Sequence, residues 1–427
     1  MPSSPSTSPS PSPSAGNSPE RERALRTLAE AWLGVRRIVP DGDVVIERAE
    51  VLRGGRPGLL DIVARVGDRQ AHMVVGLRGV ADEAHFLRSG EEAALGLLDD
   101  EHGLAVCTDA LRDAELAPLL LATLRGVPTR PGPVAVLCDD EDATVMDCGD
   151  RGDLTVFPWL RPAPRPDVDV MVALDEVGFN HVAAPLVRWV WEGRDLGVVQ
   201  EPLADRSGGL ALAMTSLRDF YACGGAPEAA GGDFGAESRA LGTMTARMHL
   251  ALDRAYLRHH EPVADWVEAA EAEIAEADAS LLDAPGVRDL IKWLGEAEGR
   301  LPVIRTHGDF QLSRTARTDQ GWVVSDFGPG GILGGSTAPA RRTPLADVAD
   351  LLWSMHDASV AAAAERDPAG RLGLASLGAA WETRNRRSFV TGYLSTPGIS
   401  GLVGPDRDLV RRLVSFLELA RSVRPTS

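Results

Sequence analysis

His307-Gly308-Asp309-Phe310 and Trp322-Val323-Val324-Ser325-Asp326-Phe327 decide how this chain folds. Each run closes a short apolar stretch (Leu301, Val303 and Ile304 before the first), and each delivers an aspartate. Two carboxylates presented from neighbouring strand ends suit phosphoryl transfer. One orients or deprotonates an acceptor hydroxyl, and the other holds the metal ion that bridges the phosphates. Gly308 permits close backbone approach beside Asp309, which favours Asp309 as a base over an ordinary turn aspartate. Asp326 is then the candidate metal ligand, because Mg2+ prefers carboxylate, phosphate and water oxygens. By itself it would read as a strand-terminal acid ahead of the Gly328-Pro329-Gly330-Gly331 turn. His307 either orients Asp309 or is a hydrogen-bonded structural histidine behind the loop. Asp347 starts a helix; it serves either the helix dipole or a supporting hydrogen bond to the His307-Gly308-Asp309 loop.

Outward from these runs, the chain changes character twice. Residues 20–38 predict an amphipathic helix, with Leu25, Leu28, Ala29, Trp32 and Leu33 on one stripe. Strands are expected over 43–52, 59–66 and 70–78, then helices over Ala93–Leu98 and Ala110–Leu124. Thr129-Arg130-Pro131-Gly132 reads as a domain boundary. Beyond it, Val134–Leu137, Thr144–Asp147 and Leu154–Trp159 predict strands, and Asp167–Val177 predicts a helix. Val187–Trp191 and Leu196–Gln200 predict a hairpin across Glu192-Gly193-Arg194-Asp195. After Gln200-Glu201-Pro202 the chain reads as mainly helical, broken by two short strands that carry Asp309 and Asp326. The expected organisation is a Ser/Pro-rich tail (1–19), a cap and intermediate region (20–128), a β-rich lobe (129–203) and a helical lobe (204–427). A small β lobe, a hinge and a helical lobe with a catalytic loop make an α+β, two-lobed, kinase-like order of elements.

Composition narrows the function classes. The net charge of −18 argues against a nucleic-acid partner and against anionic membranes, both of which call for a basic face. No apolar run approaches the roughly 20 residues that span a bilayer. The tail lacks the charged start and apolar core of a secretion signal, and Cys107, Cys138, Cys148 and Cys223 show no CxxC spacing. Buried thiols in a cytoplasmic protein are the expectation. Trp189, Trp191, Trp353 and Trp381 read as core residues.

The chain resembles the maltokinases, a branch of the aminoglycoside-phosphotransferase-like kinase fold. The resemblance rests on Asp109-Ala110-Leu111-Arg112-Asp113-Ala114-Glu115-Leu116, Gly178-Phe179-Asn180-His181-Val182 and Leu241-Gly242-Thr243-Met244-Thr245-Ala246-Arg247-Met248-His249. It also rests on His307-Gly308-Asp309, on Gly321 through Phe327 and on Arg341 through Ala349. It implies an N-terminal cap ahead of a two-lobed kinase that uses ATP and Mg2+ to phosphorylate maltose for α-glucan synthesis; a sibling branch acts on glucosamine. By resemblance, Asp309 is the base, Asp326 binds the metal, and the backbone of Gln200 and Glu201 forms the hinge that meets adenine.

Several positions depart from that pattern. Arg314 stands five residues after Asp309, where the family has a metal-binding Gln or Asn. Thr155 stands where the family has its phosphate-holding lysine, and the only lysine of the chain is Lys292. Arg151 and Arg161 are the cations at hand to replace it. The loop expected over the phosphates reads Cys138-Asp139-Asp140-Glu141-Asp142, four acids that would repel a triphosphate. Two arrangements stay open for Arg314. It pairs with Asp326 and takes the metal's place, or it turns to solvent and Gln311 supplies a metal-binding oxygen.

Three functions are consistent with this reading. The first is a maltokinase-like, ATP-dependent sugar phosphotransferase. The second is a catalytically silent relative that binds an enzyme of α-glucan metabolism. The third is a kinase of the same fold acting on an aminosugar or aminoglycoside, whose positive charge the acidic balance would suit.

Overall fold

A computed structural model describes residues 19–37, 42–80, 94–128, 132–162, 164–203, 206–224, 233–327, 341–365 and 373–424. Nearly all of the Ser/Pro-rich tail, residues 129–131 of the boundary segment and the turn after Phe327 lie outside them. The chain divides into two compact units, one running to Met146 and including Val156–Arg161, the other comprising Asp147–Thr155 and Pro162 onward.

The first unit contains α1 (Pro19–Val35), β1 (Val44–Arg53), β2 (Gly58–Val66), β3 (Arg69–Gly79), β4 (Ala94–Asp100), β5 (Gly103–Asp109), α2 (Leu116–Arg125), β6 (Ala135–Asp139) and β7 (Thr144–Asp147). The first five strands form an antiparallel sheet in the order β1-β2-β3-β5-β4. The stripe of α1 is buried as its spacing predicts: Leu25, Leu28, Ala29, Trp32 and Leu33 pack with Ile62, Met73, Val75 and Leu98. On β3, Gly76 leaves room for Leu116 of α2, whose side chain would meet a Cβ there at 2.1 Å. β2 and β3 are buried along nearly their whole length, which accounts for their continuous apolar character.

Two expectations fail in this unit for identifiable reasons. Of the helix expected over Ala93–Leu98, Ala93 lies outside the described residues, and the rest belongs to β4. A bulge between Ala94 and Gly96, with Gly96 at φ 150°, lets Leu95 and Leu98 both reach the core. Their separation by three residues imitates helical periodicity. The helix expected from Ala110 is broken in two: Ala110–Arg112 forms a single 3-10 turn, and the α-helix begins at Leu116. Asp113 breaks it by accepting from the backbone N–H groups of Glu115 and Leu116 while pairing with Arg78.

The second unit begins with β8 (Asp153–Val156), α3 (Pro166–Glu176), β9 (Pro185–Trp191) and β10 (Arg194–Gln200). The expected Leu154–Trp159 strand stops at Val156. Pro158 interrupts it, and Trp159–Leu160 pairs instead with β3 inside the first unit. The hairpin joining β9 and β10 is tighter than expected. Only Glu192 (φ 46°) and Gly193 (φ 77°) turn, and Arg194 and Asp195 already belong to the strand. Two positive φ angles in a two-residue loop match the twist of the flanking strands.

Four helices follow: α4 (Gly209–Cys223), α5 (Gly235–Ala255), α6 (Val263–Asp278) and α7 (Pro285–Gly295). Then come β11 (Arg300–Arg305), β12 (Thr315–Thr318), β13 (Gly321–Val324), α8 (Pro344–Ala364), α9 (Leu374–Leu394) and α10 (Arg407–Ser422). The helical lobe therefore holds more strand than the two segments expected. β13 is the second arm of a hairpin with β12, and β11 is flanked by His259–Pro262 and Arg341–Arg342. Among the described residues, no helix is long and apolar enough to cross a membrane.

Glycines set the contact of α5 with α9. A Cβ on Gly242 would stand 2.1 Å from the Phe389 carbonyl oxygen, and one on Gly392 would stand 2.0 Å from that of Arg239. Backbone blocks both positions, so the helices must separate to admit a methyl group. G242A and G392A are each expected to destabilise the fold by about 1–3 kcal/mol. Urea unfolding should show a lower midpoint at constant slope; an unmoved midpoint would show that the helices pack less closely than described.

The four cysteines are free thiols. Cys107 and Cys148 are buried as expected, whereas Cys138 is half-buried and Cys223 exposed. Burial pushes the thiol of Cys107 up to about 12 and that of Cys148 up to about 11. Trp189 and Trp381 are core residues, while Trp191 and Trp353 are only half-buried.

Candidate active site

The site is built on the end of β11. This strand is buried from Leu301 to Arg305, and the chain leaves it through Thr306 and His307. Gly308 then adopts φ 97°, a conformation natural to glycine, and turns the backbone so that Asp309 follows at the edge of the fold. The loop is held from beneath by Asp347. Thr343 caps α8 by accepting from the Leu345 N–H, Pro344 occupies the first turn, and Asp347 follows in that turn, fully buried. Its carboxylate accepts from the backbone N–H of His307 (2.7 Å) and of Gly308 (3.1 Å). It also contacts Nε2 of His249 on α5 at 3.1 Å. An ionised carboxylate only accepts, so His249 donates from Nε2, and its Nδ1 lies 2.8 Å from the Tyr393 hydroxyl. Burial alone would raise the Asp347 carboxyl. The hydrogen bond from His249, with the Arg342 guanidinium nearby, outweighs burial and holds it below the usual carboxylate range. Asp347 thus supports the loop, the second of the two roles open to it in the sequence.

His307 ties the two acidic loops together. Its ring is fully buried, stacks on Phe327 at 4.8 Å, and places Nε2 2.9 Å from the carbonyl oxygen of Ser325. Nε2–H donates to that carbonyl, and Nδ1 faces the Asp309 N–H at 3.4 Å. Burial lowers its pKa, so it stays neutral. It is a structural histidine, both of whose ring nitrogens are engaged with the two loops. The Phe179–His181 segment steadies the second loop from the other side. Nδ1 of His181 lies 2.8 Å from the Trp322 carbonyl oxygen, and its own carbonyl accepts from Val324.

Asp309 and Asp326 converge. One guanidinium, that of Arg314, stands 3.6 Å from Asp309 Oδ2 and 3.4 Å from Asp326 Oδ2. Arg314 ends a short turn (Leu312–Arg314), and its own backbone is locked twice. Its N–H bonds the Gln311 carbonyl, and its carbonyl accepts from Ser325 at 3.0 Å. That last bond clamps the Arg314 backbone beside Asp326. Asp326 itself adopts φ 57°, a left-handed conformation that costs a non-glycine residue of order 1 kcal/mol and is concentrated at functional sites.

Gln311 donates through its amide nitrogen to Asp309 Oδ1, so the metal-binding oxygen expected of it does not face this carboxylate. Arg314 does not turn to solvent either; its side chain is 19% exposed. The arrangement in which Arg314 pairs with the carboxylates is the one present. As placed, these residues fit a guanidinium and not a divalent cation. A doubly charged ion about 4 Å from the guanidinium would meet roughly 8 kcal/mol of repulsion at an effective dielectric near 20.

The remaining candidates make their contacts elsewhere. Gln200 ends β10, with its amide nitrogen directed to Met171 Sδ and the Ala183 carbonyl, and the Glu201 N–H is spent on the Ala184 carbonyl at 2.8 Å. Thr155 is buried in β8. Arg151 bonds the Cys148 carbonyl, and Arg161 lies 3.8 Å from Asp142 within the first unit. The acidic loop is not a free negative patch. Asp139 pairs with Arg36 and Arg112, Glu141 with Arg69 and Asp142 with Arg161, while Asp140 caps its own turn through the Asp142 and Ala143 N–H groups.

Sequence reasoning missed the role of Arg342. It donates to the Gly308 carbonyl (3.2 Å) and to Asp350 (3.1 Å), so it braces the same loop that Asp347 holds. Burial pushes the Asp350 carboxyl up to about 6 against the opposing charges of Arg342, Arg424 and Arg421. Polar residues three apart on α8, Asp347 and Asp350, were the available signal.

No family model matches the chain. A curated glucosamine kinase from Streptacidiphilus jiangxiensis is 31% identical over 203 residues, a match that spans only 43% of either chain. Similarity to solved structures extends further. A glucosamine kinase in complex with glucosamine, ADP and inorganic phosphate superposes with a TM-score of 0.64 at 20% identity, over 94% of this chain and 92% of that one. A second crystal form of a glucosamine kinase gives 0.63 at 22% identity with the same coverage. The chain therefore has the α+β, two-lobed, kinase-like fold seen in glucosamine kinases, as expected from its order of elements.

Proposed function

We propose that this protein is an ATP-dependent phosphotransferase acting on a hydroxyl of an aminosugar, with Asp309 as the base. The observation that carries the reading is the convergence of Asp309 and Asp326 on one guanidinium, at the ends of two strands of a glucosamine-kinase-like fold. In this reading Asp309 takes the proton of the acceptor hydroxyl as its oxygen bonds to the γ-phosphorus. The bond from that phosphorus to the β–γ bridging oxygen breaks, and ADP departs. The braces from Asp347 and Arg342 fix the loop on which Asp309 sits, which is how a scaffold positions a base.

The aminosugar replaces maltose as the favoured acceptor. The curated relative and the two solved structures described above are glucosamine kinases, and they lend the maltose reading no support. The net charge of −18 raises the encounter rate of a cationic sugar. The reading places the reaction in the cytoplasm, where ATP is supplied. It keeps residues 20–128 as a cap and intermediate region of the enzyme.

ADP release measured with glucosamine, other aminosugars, an aminoglycoside panel and maltose tests the proposal. Turnover with at least one amino-bearing acceptor is expected to exceed that with maltose by about tenfold or more in kcat/KM. No ADP release with any acceptor, in the presence or absence of Mg2+, would falsify it and favour the catalytically silent relative.

A further inference from the structure

We propose that Arg314 is a resident cation that takes the place of a divalent metal ion in this site, so that the chain binds the phosphates of a nucleotide without Mg2+. The inference rests on the phosphotransferase reading and concerns how that same site meets phosphate.

Three observations carry it. First, the guanidinium bridges the two carboxylates, at 3.6 Å from Asp309 and 3.4 Å from Asp326. This is the bridging position that a cation shared by two acids would take. Second, the backbone of Arg314 is fixed beside both acids. The bonds from its N–H to Gln311 and from Ser325 N–H to its carbonyl set where its side chain starts, and that side chain, only 19% exposed, lies against the two carboxylates. Third, Gln311 turns an amide nitrogen toward Asp309, a donor that suits a carboxylate already paired with a guanidinium and cannot bind a metal. Arginine has the chemistry for the task. It stays protonated at all relevant pH, and its fork offers five N–H groups. Two terminal nitrogens face carboxylates here, and their second hydrogens suit phosphoryl oxygens. A metal ion does the same work through coordination, but it must be recruited from solution with its hydration shell.

The test is a titration of ADP into the full chain in EDTA and again in Mg2+, followed by calorimetry, for the wild type and for R314Q. Glutamine removes the charge and leaves an amide oxygen capable of binding a hard cation. Wild-type affinity is expected to agree within about twofold between the two conditions, and R314Q is expected to lose binding in EDTA and regain it about tenfold or more with Mg2+. Mn2+ supplies a second, spectroscopic readout: its paramagnetic signal should be bound by R314Q and not by the wild type. R314K, which keeps the charge without the fork, should retain metal-free binding more weakly than the wild type and serves if R314Q does not fold. Wild-type binding that requires Mg2+, or Mn2+ bound equally by wild type and R314Q, overturns the inference and leaves the phosphotransferase reading standing. Metal-free ADP binding without turnover on any acceptor supports the inference and overturns that reading alone. Failure of the wild type to bind ADP in both conditions overturns both.

Discussion

Replacing Asp309 by asparagine is expected to lower kcat for aminosugar phosphorylation by about 10²–10⁴-fold, the range that general-base catalysis contributes. Asparagine keeps the shape of the side chain and can still accept from the Gln311 amide, so the loop should keep its course. What disappears is the capacity to accept a proton. Little stability should be lost. The Asp309–Arg314 pair lies at a partly open edge, and Arg314 retains Asp326 as a partner, so the unfolding free energy should change by no more than about 1 kcal/mol. Steady-state kinetics paired with urea unfolding separates the two effects. Turnover within about threefold of the wild type would remove Asp309 from the chemistry, whatever the fold does.

The largest stability effect is expected at Asp347. Its carboxylate receives the His307 and Gly308 N–H groups, and it also pairs with His249. D347A would leave the buried His307 N–H, the half-buried Gly308 N–H and a buried imidazole without their acceptor, at a cost of about 3–5 kcal/mol. D347N is no substitute, because its amide group would set a donor against one of those donors. Because the loop carrying Asp309 hangs from these bonds, activity should fall with stability, and amide exchange at Gly308 should accelerate well before global unfolding. The pH dependence has a definite sign. Asp347 is held below its unfolded value, so its contribution is fully present above pH of about 4 and is lost as pH falls through the lower, folded value. The alanine variant should therefore show a flatter acid limb than the wild type. A change in unfolding free energy under about 1 kcal/mol, with unaltered exchange at Gly308, would mean that the loop is supported some other way.

Much of the fold was legible where neighbours in sequence are also neighbours in space. The apolar stripe of α1, the strands β1 to β3 and the β9–β10 hairpin followed from periodicity and turn residues, because each obeys a rule that acts within one or two turns of chain. Where one local rule competed with another, the reading failed. The bulge at Gly96 let two leucines three apart share a face, and Pro158 divided what looked like one strand. The candidate site was legible to the same degree. The acids at 309 and 326 stand out because glycine and apolar runs frame them. Arg342 does not, since its task depends on a carbonyl 34 positions away.

Sequence alone was enough to bring two aspartates to strand ends, to leave the β lobe without lysine and to put an arginine five positions after Asp309. Which way that arginine points was decided by tertiary structure, through the two carboxylates that the joined loops set against its guanidinium. The acid loop at 139–142 shows the same division. Its charge is written in the sequence, but its pairing with Arg36, Arg69, Arg112 and Arg161 needed the sheet and α1 in place. The physical reason is common to both. A long charged side chain has many rotamers of similar energy, and only partners fixed by the folded backbone, often scores of residues distant, select one of them.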